Sequence, residues 1–107
     1  MTALPGRWAL TMSTPIGKIE AELAFTETGP SSAIAGTATG RGETVPLRDI
    51  RSTVEGDLER VTWQQSITKP MRLNLDFDVT LDGDVMRGHS RAGRLPKSTV
   101  TGRRLGD

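Results

Sequence analysis

The chain has 107 residues, enough for one domain with its own core. Its 14 Lys plus Arg against 13 Asp plus Glu leave a formal charge of +1, so no strongly basic nucleic-acid surface is indicated. It holds no Cys, which excludes disulfides, thiolate zinc sites and cysteine nucleophiles. One His, no Tyr, two Trp and two Phe offer little for imidazole catalysis or base stacking. The first residues lack a basic start followed by an apolar run, and no stretch approaches the roughly 20 apolar residues of a membrane helix. The expectation is one cytoplasmic domain, 1–107, without membrane contact or cofactor.

The elements read as strands. Trp8, Leu10 and Met12 alternate with polar or small residues, as do Ile19, Ala21, Leu23 and Phe25, and a turn at Pro15-Ile16 sets Met12 opposite Ile19, Leu10 opposite Ala21 and Trp8 opposite Leu23. Glu27 to Ser32 is the longest irregular stretch, a loop or a lid. A turn at Gly40-Arg41 predicts Gly36 opposite Val45 and Ile34 opposite Leu47. Between Leu47 and Ile50 the inward parity switches from odd to even, which needs a bulge or a tight turn at Arg48-Asp49. A turn at Gly56-Asp57 then sets Ser52 opposite Val61 and Ile50 opposite Trp63. Val61, Trp63, Gln65 and Ile67 continue the alternation, and Lys69-Pro70 interrupts the chain because Pro donates nothing to a central ladder.

From Met71 to Leu81 every odd position is apolar and every even one polar, a period of two that only a strand sustains. Asp82-Gly83 is a strong hairpin signal. Taken as the turn, it sets Val79 opposite Met86, Phe77 opposite Gly88 and Leu75 opposite Ser90, with Asp78 facing Arg87 and Asp76 facing His89 on the outside. Ser98 to Leu105 reads as a closing strand. With a bulge at Arg48-Asp49, 42–55 is one bent strand and the count is about eight, so the last strand lies antiparallel beside the first. The predicted fold is all-β, a short up-and-down antiparallel β-barrel.

Gly6-Arg7-Trp8 resembles the first strand of lipocalin-like barrels, and Gly102-Arg103-Arg104 places arginines on the last strand beside it. In the calycin superfamily of lipocalins, fatty-acid-binding proteins and avidin-like barrels, such an Arg covers the first-strand Trp at the closed end. The resemblance implies a lipocalin- or streptavidin-like barrel closed by Trp8 and either Arg103 or Arg104. The string GRWALTMSTPIGKIEAEL, with AGTATG, VPLRDI, DGDVMRGHSRAG and VTGRR, is also similar to small bacterial barrel proteins. The residues that recur there, at Thr14, Pro15, Gly17, Asp49, Gly83, Asp84, Met86 and Gly88, fall mostly on turns and inward positions.

Few residues suggest chemistry. His89 points outward by parity, beside Asp76 and without a triad partner. The run from Asp76 to Asp84 has calcium-loop spacing only superficially: strand-core residues interrupt it and the final Glu is missing, so no metal is expected. Residues 85–107 hold six basic and one acidic side chain. Arg87 and one C-terminal Arg have structural partners in the expected register, which leaves a modest patch at Arg94 and Lys97 and no nucleic-acid partner. Small or polar residues face inward at Ala21, Gly36, Ser52, Gln65, Gly88, Ser90, Ala92 and Gly102. They either let a narrow barrel fill or leave a cavity walled by Met12, Trp63, Leu75, Phe77 and Met86, with Gln65 and Ser90 as polar anchors. The leading expectation is a non-enzymatic barrel binding a small, mostly apolar ligand. The alternative is a filled interaction module, a homodimer. An isomerase or cyclase using Gln65, Ser90 and Asp49 ranks third.

Overall fold

The computed structural model describes residues 4–14, 17–28, 33–40, 42–67 and 72–106. Among these residues nine strands form one antiparallel sheet: β1 (Gly6–Thr14), β2 (Gly17–Thr28), β3 (Ala33–Gly40), β4 (Glu43–Pro46), β5 (Arg48–Glu55), β6 (Leu58–Ile67), β7 (Leu73–Asp82), β8 (Val85–Ala92) and β9 (Ser98–Gly106). The spatial order is β4-β3-β2-β1-β9-β8-β7-β6-β5. The last strand pairs with the first, and the sheet curls into a nearly closed up-and-down barrel.

The count of nine arises inside the segment expected as one bent strand. β4 pairs with β3, and a bond from Leu47 N–H to Gly36 O at 2.9 Å ends that pairing. The chain then crosses to β6. Arg48 lies opposite Gln64 but Arg51 opposite Thr62, so β5 spends one residue more than its partner there. This is a bulge, and Asp49 sits at φ 52, a left-handed conformation that Asp tolerates better than most residues. The extra residue converts odd inward parity before the bend into even parity after it. Because β4 and β5 are the two halves of one bent strand, no parallel pair is needed to approach closure.

Two hairpin registers agree with the sequence expectation. Met12 faces Ile19, Leu10 faces Ala21 and Trp8 faces Leu23, although Pro15-Ile16 itself lies outside the described residues. Ser52 faces Val61, while the bulge interrupts the ladder before Ile50 pairs. Two other registers are corrected by two residues. The β7–β8 turn is Gly83-Asp84, with Gly83 at φ +64, so Leu81 faces Met86, Val79 faces Gly88, Phe77 faces Ser90 and Leu75 faces Ala92. The shift lengthens the ladder and buries Leu81 against Met86, which is worth more than leaving Leu81 beside the turn. In β3–β4, Gly40 faces Glu43 and Ala38 faces Val45.

Parity survives a two-residue shift but partners do not. Arg87 faces Thr80, not Asp78, whose cross-strand neighbour on β8 is His89, and Asp76 faces Arg91. The irregular stretch is also shorter than expected, since Glu27 and Thr28 pair with Ile34 and Ala33. Residues 29–32 and Lys69-Pro70 lie outside the described part.

The middle of the barrel is filled. Trp63 stacks on Phe77 with ring centroids 4.8 Å apart and 7° between planes, and meets Phe25 edge-on at 5.6 Å. Small inward residues make this possible. A Cβ on Gly36 would come within 2.9 Å of the Phe25 ring, and one on Gly88 within 2.6 Å of Val79 Cα and closer still to the Asp78 carbonyl oxygen.

Candidate ligand recess at the open end of the barrel

The strands present two different ends. One gathers the start of β1, the end of β9 and the β7–β8 turn. Along β9, Val100, Gly102 and Arg104 lie opposite the inward residues Met12, Leu10 and Trp8. Parity therefore selects Arg104, not Arg103, to cover Trp8. The Arg104 guanidinium carbon sits 4.3 Å from the ring centroid. Its Nη1 donates to Pro5 O at 2.9 Å and its Nε to Asp84 Oδ1 at 2.8 Å, while Trp8 Nε1 donates to Leu4 O at 3.0 Å. A buried indole N–H and a cation over its face are thus both satisfied, and this end is closed by Leu4, Trp8 and Arg104.

The other end holds a recess of about 50 Å³, one to two water molecules' share of liquid volume. Of the residues expected to line a cavity, Met12, Gln65, Leu75 and Phe77 do so. Trp63 lies beneath them, and its Nε1 donates to Gln65 Oε1 at 3.0 Å. An indole N–H only donates, so it fixes the Gln65 amide with its oxygen toward Trp63 and leaves the NH₂ group for another acceptor. Met86 and Ser90 are buried but are not part of the recess wall. Met86 belongs to the layer near the closed end, opposite Leu81 and Gly102. Ser90 lies between Phe77 and Ser98, and its Oγ has no hydrogen-bond partner among the described residues.

Sequence reasoning missed the wall contributed by β2, β3 and β4. Ile19, Ala38 and Val45 line the recess, and Glu20 and Glu43 are its charged members among the described residues. The alternation of Ile19 and Val45 was visible; that their strand ends meet Gln65 across the barrel was not. Glu59 was also missed. It shares the odd parity of Val61, Trp63 and Gln65, is 5% exposed, and accepts a hydrogen bond from Ser52 Oγ.

A wider concavity of about 510 Å³ lies on the outer face of β5 to β8. His89 lines it as parity predicts, with Asp49, Arg51, Asp76, Arg91 and Lys97. Asp78 is held there by Arg60 through two hydrogen bonds, 3.0 Å and 2.6 Å, and the first of these influences, hydrogen bonding, keeps its carboxyl below the ordinary range despite partial desolvation. The trio considered for isomerase chemistry does not assemble: Gln65 is in the recess, Ser90 in the core and Asp49 in the outer concavity. Among the described residues no group of three or more His, Asp or Glu is placed to hold a metal ion, and no helix is long and apolar enough to cross a membrane.

Comparison with known proteins places the architecture. No family model and no curated protein matches the chain. A solved structure of a redesigned β-barrel superposes with a TM-score of 0.68 over 96% of this chain and 92% of that one, at 19% identity. At that identity the likeness shows the fold alone.

Proposed function

We propose that the chain is a non-enzymatic binding barrel that receives one end of a small, mostly apolar ligand at its mouth. The observation that carries this reading is the apolar recess of about 50 Å³ between Met12, Leu75 and Phe77, with the Gln65 amide as its polar point. Gln65 offers donors, because its oxygen is taken by Trp63. Glu43, which shares the inward parity of Val45, makes the charged part of the wall acidic, and this opposes a carboxylate. A neutral molecule with a carbonyl or hydroxyl acceptor fits these groups better than a fatty acid. The calycin-like reading is supported by Arg104 over Trp8 at the closed end.

Amide and methyl NMR with a panel of small ketones, alcohols and matched carboxylic acids tests the proposal. Neutral compounds should shift the Gln65 side-chain amide and the Met12 and Leu75 methyl signals, and Gln65→Leu should abolish the preference for acceptors. Absence of any mouth shift at millimolar ligand, or equal response to acids, would defeat it. A second reading, a filled interaction module, is favoured by the Trp63, Phe77 and Phe25 cluster that occupies the barrel's middle.

A further inference from the structure

We propose that β5 is a self-association edge, and that two copies of the chain pair their Arg51–Glu55 segments antiparallel about a two-fold axis through Thr53. The proposal does not depend on the mouth binding a ligand.

The sheet leaves two strands with one neighbour each, β4 and β5. They differ in how far they invite a further strand. β4 has four residues and ends in Pro46, features that blunt an edge. β5 has eight residues without Pro, and seven of them are exposed, Ile50 alone being partly covered. Exposure on both parities is unusual for a barrel wall. Ser52 and Val54 have inward parity, since their partners Val61 and Glu59 are buried, yet Val54 is 58% exposed. The Asp49 bulge takes the chain from β3 to β6, and the β3 pairing ends at Gly36 and Leu47. Beyond it the outer backbone edge of β5 has no strand partner among the described residues.

Charge complementarity selects a second copy as the occupant. With Thr53 opposite itself, Arg51 of each copy faces Glu55 of the other, and Ser52 faces Val54, so inward parity meets inward parity along the ladder. Neither the Arg51 nor the Glu55 side chain has a hydrogen bond or close ion pair among the described residues of its own copy, although the charge of Glu55 is felt by Arg60. A slip of one residue sets inward against outward side chains. A slip of two in one direction places Asp49 against Glu55, like charges that repel. In the other direction the ladder runs into Gly56-Asp57. The bulge and Arg48 spoil the far half of the edge for pairing, which confines association to five residues. The interface is accordingly small and the dimer reversible, of the weak class below about 1,200 Å².

Sedimentation velocity from micromolar to millimolar protein, paired with NMR of the β5 amides, tests this. The chain should show a reversible monomer–dimer equilibrium with concentration-dependent shifts confined to residues around 51–55. Arg51→Glu and Glu55→Arg should each raise the dissociation constant about tenfold or more, since two attractive pairs become repulsive. Mixing the two single variants should restore association as a heterodimer, and the double variant should restore it as a homodimer. Both side chains are exposed, and unchanged far-ultraviolet circular dichroism verifies that the variants stay folded. A strict monomer at all concentrations, a dimer indifferent to both reversals, or β5 shifts produced only by an added foreign strand peptide would each overturn the proposal.

Discussion

At one end of the barrel a fully buried Trp8 lies under Arg104, the indole N–H and two of the guanidinium nitrogens have partners, and the chain before β1 is tied down through Leu4 and Pro5. At the other end, Gln65 and the side chains around it leave a recess, and the Gln65 NH₂ group is uncommitted among the described residues. The same strands build both ends, with the same alternation. What differs is the polar residue that parity delivers near each end: an Arg that reaches back over an aromatic face, or an amide held one layer up by an indole. A capped aromatic and an open amide are thus separated along the barrel axis, a division that truncation at each end can break.

The largest effect should come from Trp8→Ala, which empties the closed end and lowers the unfolding free energy by about 3–5 kcal/mol in urea titration. Leu75→Ala beside the recess should cost less, about 2–3 kcal/mol, because an existing space gives the neighbours room to relax. Equal losses would show that the two ends are packed alike. Next comes Arg104→Met, which keeps bulk over Trp8 but forfeits the cation and the bonds to Pro5 and Asp84. A loss of about 1.5–3 kcal/mol is expected from the same titration. Arg104→Lys should recover only part of it, since an ammonium lacks the planar fork.

Ser90→Ala sharpens the contrast from the core side. The Ser90 hydroxyl is buried without a partner among the described residues, so its removal should leave stability unchanged or raise it by up to about 1 kcal/mol, read as the shift in thermal midpoint. A clear loss would mean that a water held by Ser90 is part of the structure. The smallest effect belongs to the outer wall, away from both ends. The Asp78 carboxyl is shifted down by Arg60, so the pair's contribution is present above the unfolded-state value near 3.9 and is lost as pH falls through the lower folded value. The difference in thermal midpoint between the chain and Asp78→Asn should therefore shrink below about pH 4 and stay constant above about pH 5. Substitutions at Trp8 or Leu75 should show no such dependence.

Much of this arrangement was legible in the residues. The alternation from Leu73 to Leu81 and in Trp8, Leu10 and Met12 assigns strands and inward faces, and even the bulge at Arg48-Asp49 announces itself as a parity switch. Parity would also have chosen Arg104 over Arg103 had Val100 and Gly102 been followed to the end of the strand, and it would have added Glu59 to the inward set. Partners were less accessible. A turn placed at Asp82-Gly83 and one placed at Gly83-Asp84 give the same faces but different neighbours, so the pattern sets Arg87 beside Asp78; the partner in the structure, Arg60, lies on β6, whose register with β7 no two-residue turn specifies.

Local pattern is enough to specify the class of fold, the inward and outward sets and the position of the bend, because a period of two and a change of parity are local properties of the chain. Tertiary structure decided which turn residues closed each hairpin, how Trp63, Phe77 and Phe25 fill the middle, and that four of the seven expected cavity residues meet in one recess while Met86 and Ser90 do not. Those outcomes depend on volumes summed across strands far apart in the chain, and on close approaches such as Gly88 to Val79, which no single strand's pattern encodes.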